Sequence, residues 1–232
     1  MIQASDGRRL TAFLSLPKHL PAPAVVTIHG SLGLTDWYRS QAAAFAREGF
    51  VGLAVELFPG RLAWDLDGER SLIADADRDI ALMTDTLASW VDWLTCDPRT
   101  NGRVGVVGWS FGAWWALVAS TARAVDATVL YYGLRYGDHD AAGAETAALA
   151  RLRGPLLGLF GEGDQSIPRD RVERFREALT AARKSIEIDW YPAGHGFANM
   201  TLDAYDADSA AAAWRRAAAF LRTNLASPRA IR

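Results

Sequence analysis

The chain has 232 residues, enough for one well-buried core, and reads as a single domain over residues 1–232. Its 25 Lys and Arg against 27 Asp and Glu leave a formal net charge of −2, so no basic field points to nucleic acid or an anionic membrane. One cysteine, Cys96, excludes an internal disulfide, and no apolar run approaches the roughly 18 residues of a membrane span.

Residues 1–10 carry no apolar signal segment, so a cytoplasmic enzyme is expected. Along the chain, short apolar runs alternate with amphipathic stretches. Residues 24–29 (AVVTIH) read as a buried strand followed by the turn Gly30-Ser31-Leu32-Gly33. Residues 36–48 read as a helix stopped by Gly49, and residues 50–57 as the next strand. Residues 71–95 read as one long helix, with Ile73, Ala76, Ile80, Met83, Leu87, Trp90 and Leu94 on its inner face. Cys96, at its end, is expected to be a small buried hydrophobe.

Strand 103–107 leads into a tight turn at 108–112 and a helix to about Ala122. Strands follow at 127–132, 155–160 and 185–191. Pro168 suits the first position of a helix running to Ala182, with Val172, Phe175 and Leu179 inward. Residues 203–225 form a closing helix through Trp214, Ala217 and Leu221. Residues 137–150 fit no element. Segments 61–70 and 134–150 are expected to set specificity, as irregular connections beside a rigid scaffold often do.

This alternation predicts an α/β fold: a mostly parallel central sheet with helices on both faces. Ligands in such sheets bind at the carboxyl ends of the strands. There the motif Gly108-Trp109-Ser110-Phe111-Gly112 sits between strand and helix, as a nucleophile elbow requires. A serine hydroxyl needs a base, and His195 follows a late strand between two glycines. The base needs an acid to hold its tautomer. Asp164, in the loop before Pro168, is preferred over Glu162 and Asp170. The order Ser110, Asp164, His195 is that of α/β-hydrolases.

The oxyanion donors are expected to be the N–H of Phe111 and the N–H of Ser31, with Leu32 second. Trp109, beside the nucleophile, is a candidate pocket residue, as is Leu32. Trp114 or Trp115 reads as core. His29 is expected to face the interior or lie under the site, and His19 and His139 the surface. No residues have metal-ligand spacing, and no phosphate loop is present, so neither metal nor cofactor is expected.

These segments resemble the dienelactone hydrolase family from about residue 8 to residue 222. The matching stretches are Gly49-Phe50-Val51 through Glu56-Leu57-Phe58, the elbow, Tyr131-Tyr132-Gly133, the loop 161–168, and Tyr191-Pro192 through His195-Gly196-Phe197-Ala198. The resemblance implies an α/β-hydrolase fold in a single domain with no large cap domain, and cofactor-free hydrolysis of esters or lactones. Three departures stand out. Members that open dienelactones use a cysteine where this chain has Ser110. They carry a glutamate at the place of Gly30, and a carboxylate-gripping arginine at the place of Asn199. Arg39, Arg61 and Arg135 are the cations that could replace that arginine; Asn199 itself is a candidate substrate contact.

The sequence therefore predicts a serine esterase or lactonase acting on a small molecule, monomeric or a small homo-oligomer. A thioesterase or small-peptide hydrolase would use the same groups. A non-catalytic binding protein on this scaffold would lack one of them.

Overall fold

The computed structural model describes residues 1–134 and 148–227. A small antiparallel pair, β1 (Ile2–Gln3) and β2 (Arg9–Leu10), precedes the main sheet. The elements that follow are β3 (Ala12–Ser15), β4 (Ala22–Ile28), α1 (Asp36–Arg47), β5 (Val51–Val55), α2 (Leu66–Arg78) and α3 (Ile80–Cys96). Then come β6 (Thr100–Trp109), α4 (Phe111–Ala122), β7 (Ala127–Tyr131), β8 (Leu156–Gly161), α5 (Arg169–Ala181), β9 (Ile186–Tyr191) and α6 (Ala207–Leu225).

The seven-stranded sheet has the order β3-β5-β4-β6-β7-β8-β9. Only β3 is antiparallel, paired along β5 from Ala12↔Val55 to Ser15↔Gly52. The central strands β4, β5, β7 and β8 are apolar and buried almost throughout, because helices cover both faces. One core joins α2, α3, α4 and α5 to the sheet through Leu72, Leu87, Trp90, Trp115 and Leu179. The other joins α1 and α6 through Phe45, Trp109, Tyr131, Ala217 and Leu221. Among the described residues no inserted cap domain interrupts the alternation.

Four expectations are corrected. The long helix is two, broken at Asp79 (φ −132°, ψ 68°), whose carboxylate accepts the Leu82 N–H and starts α3 as an N-cap. Ile80, placed on the inner face, is exposed at that break. Cys96 is exposed, since it falls on the outer side of the last turn of α3. Pro168 is the N-cap of α5 rather than its first residue, with extended backbone (ψ 157°). Residues 135–147, which include Arg135, His139 and most of the unassigned segment, lie outside the described residues.

Candidate active site

The turn between β6 and α4 is held by close backbone approaches. A Cβ on Gly108 would collide with the carbonyl of Gly112, and one on Gly112 with the carbonyls of Ile28 and His29. Only glycine fits either place. Ser110, between them, has φ 53° and ψ −119°, a conformation a side chain adopts only under constraint. The constraint includes the Ser110 N–H, which donates to Tyr131 O at 2.9 Å, and the Ser110 carbonyl, which accepts the Ala113 N–H at 2.9 Å. Gly133 packs against the same carbonyl with no room for a Cβ.

The hydroxyl of Ser110 lies 2.8 Å from His195 Nε2, and His195 Nδ1 lies 2.8 Å from Asp164 Oδ2. Asp164 comes from the loop after β8 and His195 from the loop after β9. These loops are tied together by Glu162 N–H→Tyr191 O (2.8 Å) and Gly163 N–H→Ala193 O (3.0 Å). The Asp164 side chain is fully buried and that of His195 27% exposed. Oδ1 of Asp164 accepts the N–H groups of Ser166 (2.8 Å) and Ile167 (2.9 Å), which leaves Oδ2 for the histidine. The rival acids point elsewhere: Glu162 pairs with Arg169 and Asp170 with Arg174, both at the surface. The ring of Tyr132 stands edge-on to His195, centroids 5.4 Å apart.

The turn after β4 closes through Gly33 N–H→Gly30 O (3.2 Å). Within the described residues, the N–H groups of Ser31, Leu32 and Phe111 donate no hydrogen bond. That of Phe111 opens α4, where the helix end favours negative charge. The Ser31 hydroxyl donates to the Glu69 carboxylate, tying the turn to α2. The Leu32 carbonyl accepts the Ala63 N–H (3.1 Å), and the Leu32 side chain packs half-buried on the α2–α4 core.

His29 is fully buried beneath this turn. Its Nδ1–H donates to Gly30 O (2.7 Å) and its Nε2 accepts the Leu57 N–H (3.2 Å). Burial drives its pKa down to about 4, against smaller opposing effects of the Gly30 backbone and Glu56. Trp109 is 1% exposed; it stacks on Tyr131 and meets Trp37 edge-on, on the α1/α6 side of the sheet. Trp115 is fully buried, while Trp114 packs half-buried against the other core.

Asn199 is 4% exposed, and its Oδ1 accepts the N–H and hydroxyl of Thr201. Of the cations that could stand in for the missing arginine, Arg39 pairs with Asp36 and Arg61 with Asp75. Sequence reasoning missed three neighbours of the site: Glu69, Tyr132 and Tyr38. Tyr132 sat in a motif already matched; the other two reach the site from helices with no local signal.

A nearly parallel sheet with one antiparallel edge, helices on both faces and a serine raised on a strand-to-helix turn define the α/β-hydrolase fold. Residues 10–225 match the dienelactone hydrolase family. An Escherichia coli (strain K12) protein named "Putative carboxymethylenebutenolidase" is 30% identical over 228 residues, covering 91% of this chain and 82% of that protein. The carboxymethylenebutenolidase of Pseudomonas putida is 26% identical over 229 residues, covering 95% and 94%. The solved dienelactone hydrolase of Anabaena variabilis shares the fold at a TM-score of 0.70 and 23% identity, over 97% of this chain and 96% of that one. The chain belongs to the dienelactone hydrolase family and is a hydrolase of that type.

Proposed function

We propose that the protein hydrolyses neutral carboxylic esters or lactones through an acyl-enzyme on Ser110. The observation that carries this reading is the hydrogen-bonded chain Ser110–His195–Asp164, 2.8 Å at each link. In it, His195 Nε2 takes the serine proton as Oγ attacks the carbonyl carbon. Asp164 keeps the other ring proton on Nδ1 and stabilises the imidazolium. The N–H groups of Phe111 and Ser31 face the negative charge that develops on the carbonyl oxygen. His195 then passes its proton to the leaving alkoxide, and water, activated by the same base, releases the acid.

The preference for neutral substrates rests on charge. Asn199 is neutral and spends its oxygen on Thr201, while Arg39 and Arg61 are held by Asp36 and Asp75. A substrate carboxylate finds no free guanidinium among these.

The test is turnover of p-nitrophenyl acetate and butyrate by wild type and Ser110→Ala at matched folded concentration. A loss of about 10⁴-fold or more, with a fluorophosphonate adduct mapping to Ser110 in the wild type only, is expected. Equal rates in the two proteins, with no adduct, would sink the assignment.

A further inference from the structure

A second concavity lies on the α1/α6 side of the sheet. It has a volume of about 300 Å³, the lower end of the range for small-molecule sites, and neither Ser110 nor His195 lines it. Trp109 and Tyr131, each 99% buried, form its floor at the ends of β6 and β7, their rings stacked 5.2 Å apart. Trp37 of α1 and Trp214 of α6 form its walls, with Trp37 edge-on to Trp109 at 5.5 Å. Tyr205 and Arg215 stand exposed at its mouth.

The polar atoms here are mostly donors. The indole N–H groups of Trp37, Trp109 and Trp214 and the phenol of Tyr131 have no hydrogen-bond partner among the described residues. None of them is among the polar atoms wholly sealed off from solvent. Burial raises the Tyr131 pKa, which keeps its proton in place for donation. Arg216 spends its guanidinium on Glu187 and Asp189, whereas Arg215 makes no ion pair among the described residues. Among the described residues no carboxylate lines the cavity. Aromatic walls select a flat ring, and unpaired donors beside a free cation select an anionic acceptor.

We propose that this cavity is a binding site for a small aromatic carboxylate, its ring between Trp37 and Trp214 and its carboxylate toward Arg215. The site is separate from the chemistry at Ser110, although Trp109 immediately precedes that serine and Ala198, three residues after His195, lines one wall. A ligand here would press on the segments that carry both groups.

The experiment is titration of the full chain with benzoate, followed by tryptophan fluorescence and by calorimetry, with benzyl alcohol as the neutral comparison. Saturable binding with a Kd of about 1 mM is expected, since so small a ligand has few atoms to contribute. Benzyl alcohol should bind at least about tenfold more weakly. Arg215→Gln, a surface change that leaves the fold intact, should weaken benzoate about tenfold. Ala210→Trp, which fills the cavity from α6, should abolish binding. Absence of saturable binding, equal affinity for the alcohol, or benzoate binding untouched by Arg215→Gln would each overturn the proposal. Because the readout is binding, it stands or falls independently of ester hydrolysis.

Discussion

The hydroxyl of Tyr38 occupies the space that a side chain at Gly30 would need: a Cβ there would lie 2.5 Å from the phenol oxygen and 3.5 Å from the ring carbon bearing it. Tyr38 is fully buried, and burial pushes its pKa up to about 12, although hydrogen bonds from the Gly30 backbone and the Asn199 side chain pull the other way. The phenol thus joins α1 to the turn after β4 and to the histidine loop. Gly30→Ala is expected to cost about 1–3 kcal/mol in the wild type, the scale of overpacking. In a Tyr38→Phe background the obstructing oxygen is gone and 3.5 Å is ordinary contact, so the same change should cost little. Tyr38→Phe alone should cost about 1 kcal/mol for its lost hydrogen bonds. Urea unfolding of the four proteins measures the coupling; strict additivity would refute the steric argument.

Ser110 offers a test of strain without reference to activity. At φ 53° and ψ −119° it sits where a Cβ is unwelcome, at a cost on the order of 1–3 kcal/mol. Glycine removes that cost but adds about 0.5–1 kcal/mol of unfolded-chain entropy. The strain is the larger effect, so Ser110→Gly should be more stable than Ser110→Ala by about 1 kcal/mol. Both should be inactive. If alanine proves the more stable in thermal melts, the turn is not strained.

Asp164→Asn should separate geometry from charge. Two backbone donors, Ser166 and Ile167, converge on Oδ1, so the amide oxygen of asparagine must stay there. Its NH₂ then faces His195 Nδ1 and forces that nitrogen to accept. The ring proton moves to Nε2, where it opposes the Ser110 hydroxyl. A fall in kcat of about 10⁴-fold is expected, with stability changed by no more than about 1 kcal/mol. A loss of activity that merely tracks unfolding would point to a structural role for Asp164 instead.

Much of the fold was readable because its signals are local. Buried parallel strands are short apolar runs, and Gly49 and the elbow glycines mark turns that only glycine makes. The order of Ser110, Asp164 and His195 was readable for the same reason: each stands just after a strand. What escaped depends on contacts distant in sequence or on a choice between near-equal local options. Asp79 could have been a solvated helix residue, yet its carboxylate caps α3 and splits the helix. Strand β3 is a short edge strand whose Phe13 and Leu16 flank are exposed, so it lacks a buried run. Tyr38 and Glu69 meet the site from α1 and α2, and no periodicity announces such meetings. Gly30 is the instructive case. The sequence shows only a departure there from the glutamate of the family it resembles, whereas the fold shows that Tyr38 fills the space a side chain would need.

His29 gives the protein a pH-dependent stability in a window of its own. Its Nε2 must accept the Leu57 N–H, and its Nδ1–H already serves Gly30 O, so a second ring proton would meet a donor and place a charge in the core. Its pKa is about 4 in the folded protein against 6.5 for the free side chain. Between those values the unfolded chain binds the proton and the folded one does not, so unfolding is favoured as pH falls. The contribution is fully present above about pH 6.5, declines as pH drops toward 4, and is constant below that. Its size is on the order of 3 kcal/mol. The lowered carboxylates, such as Asp97 beside Arg99 and Asp75 beside Arg61, act in a different range. Starting from a free value of 3.8, they lose stability mainly below about pH 4 to 5. The two sources therefore separate in a series of urea unfolding curves from pH 8 to pH 3. In the wild type the unfolding free energy should already slope between pH 6.5 and 4. In His29→Gln, which keeps a donor and an acceptor but cannot titrate, that slope should flatten while the carboxylate loss at lower pH persists. An unchanged slope in the variant would mean that His29 is not the group taking up the proton.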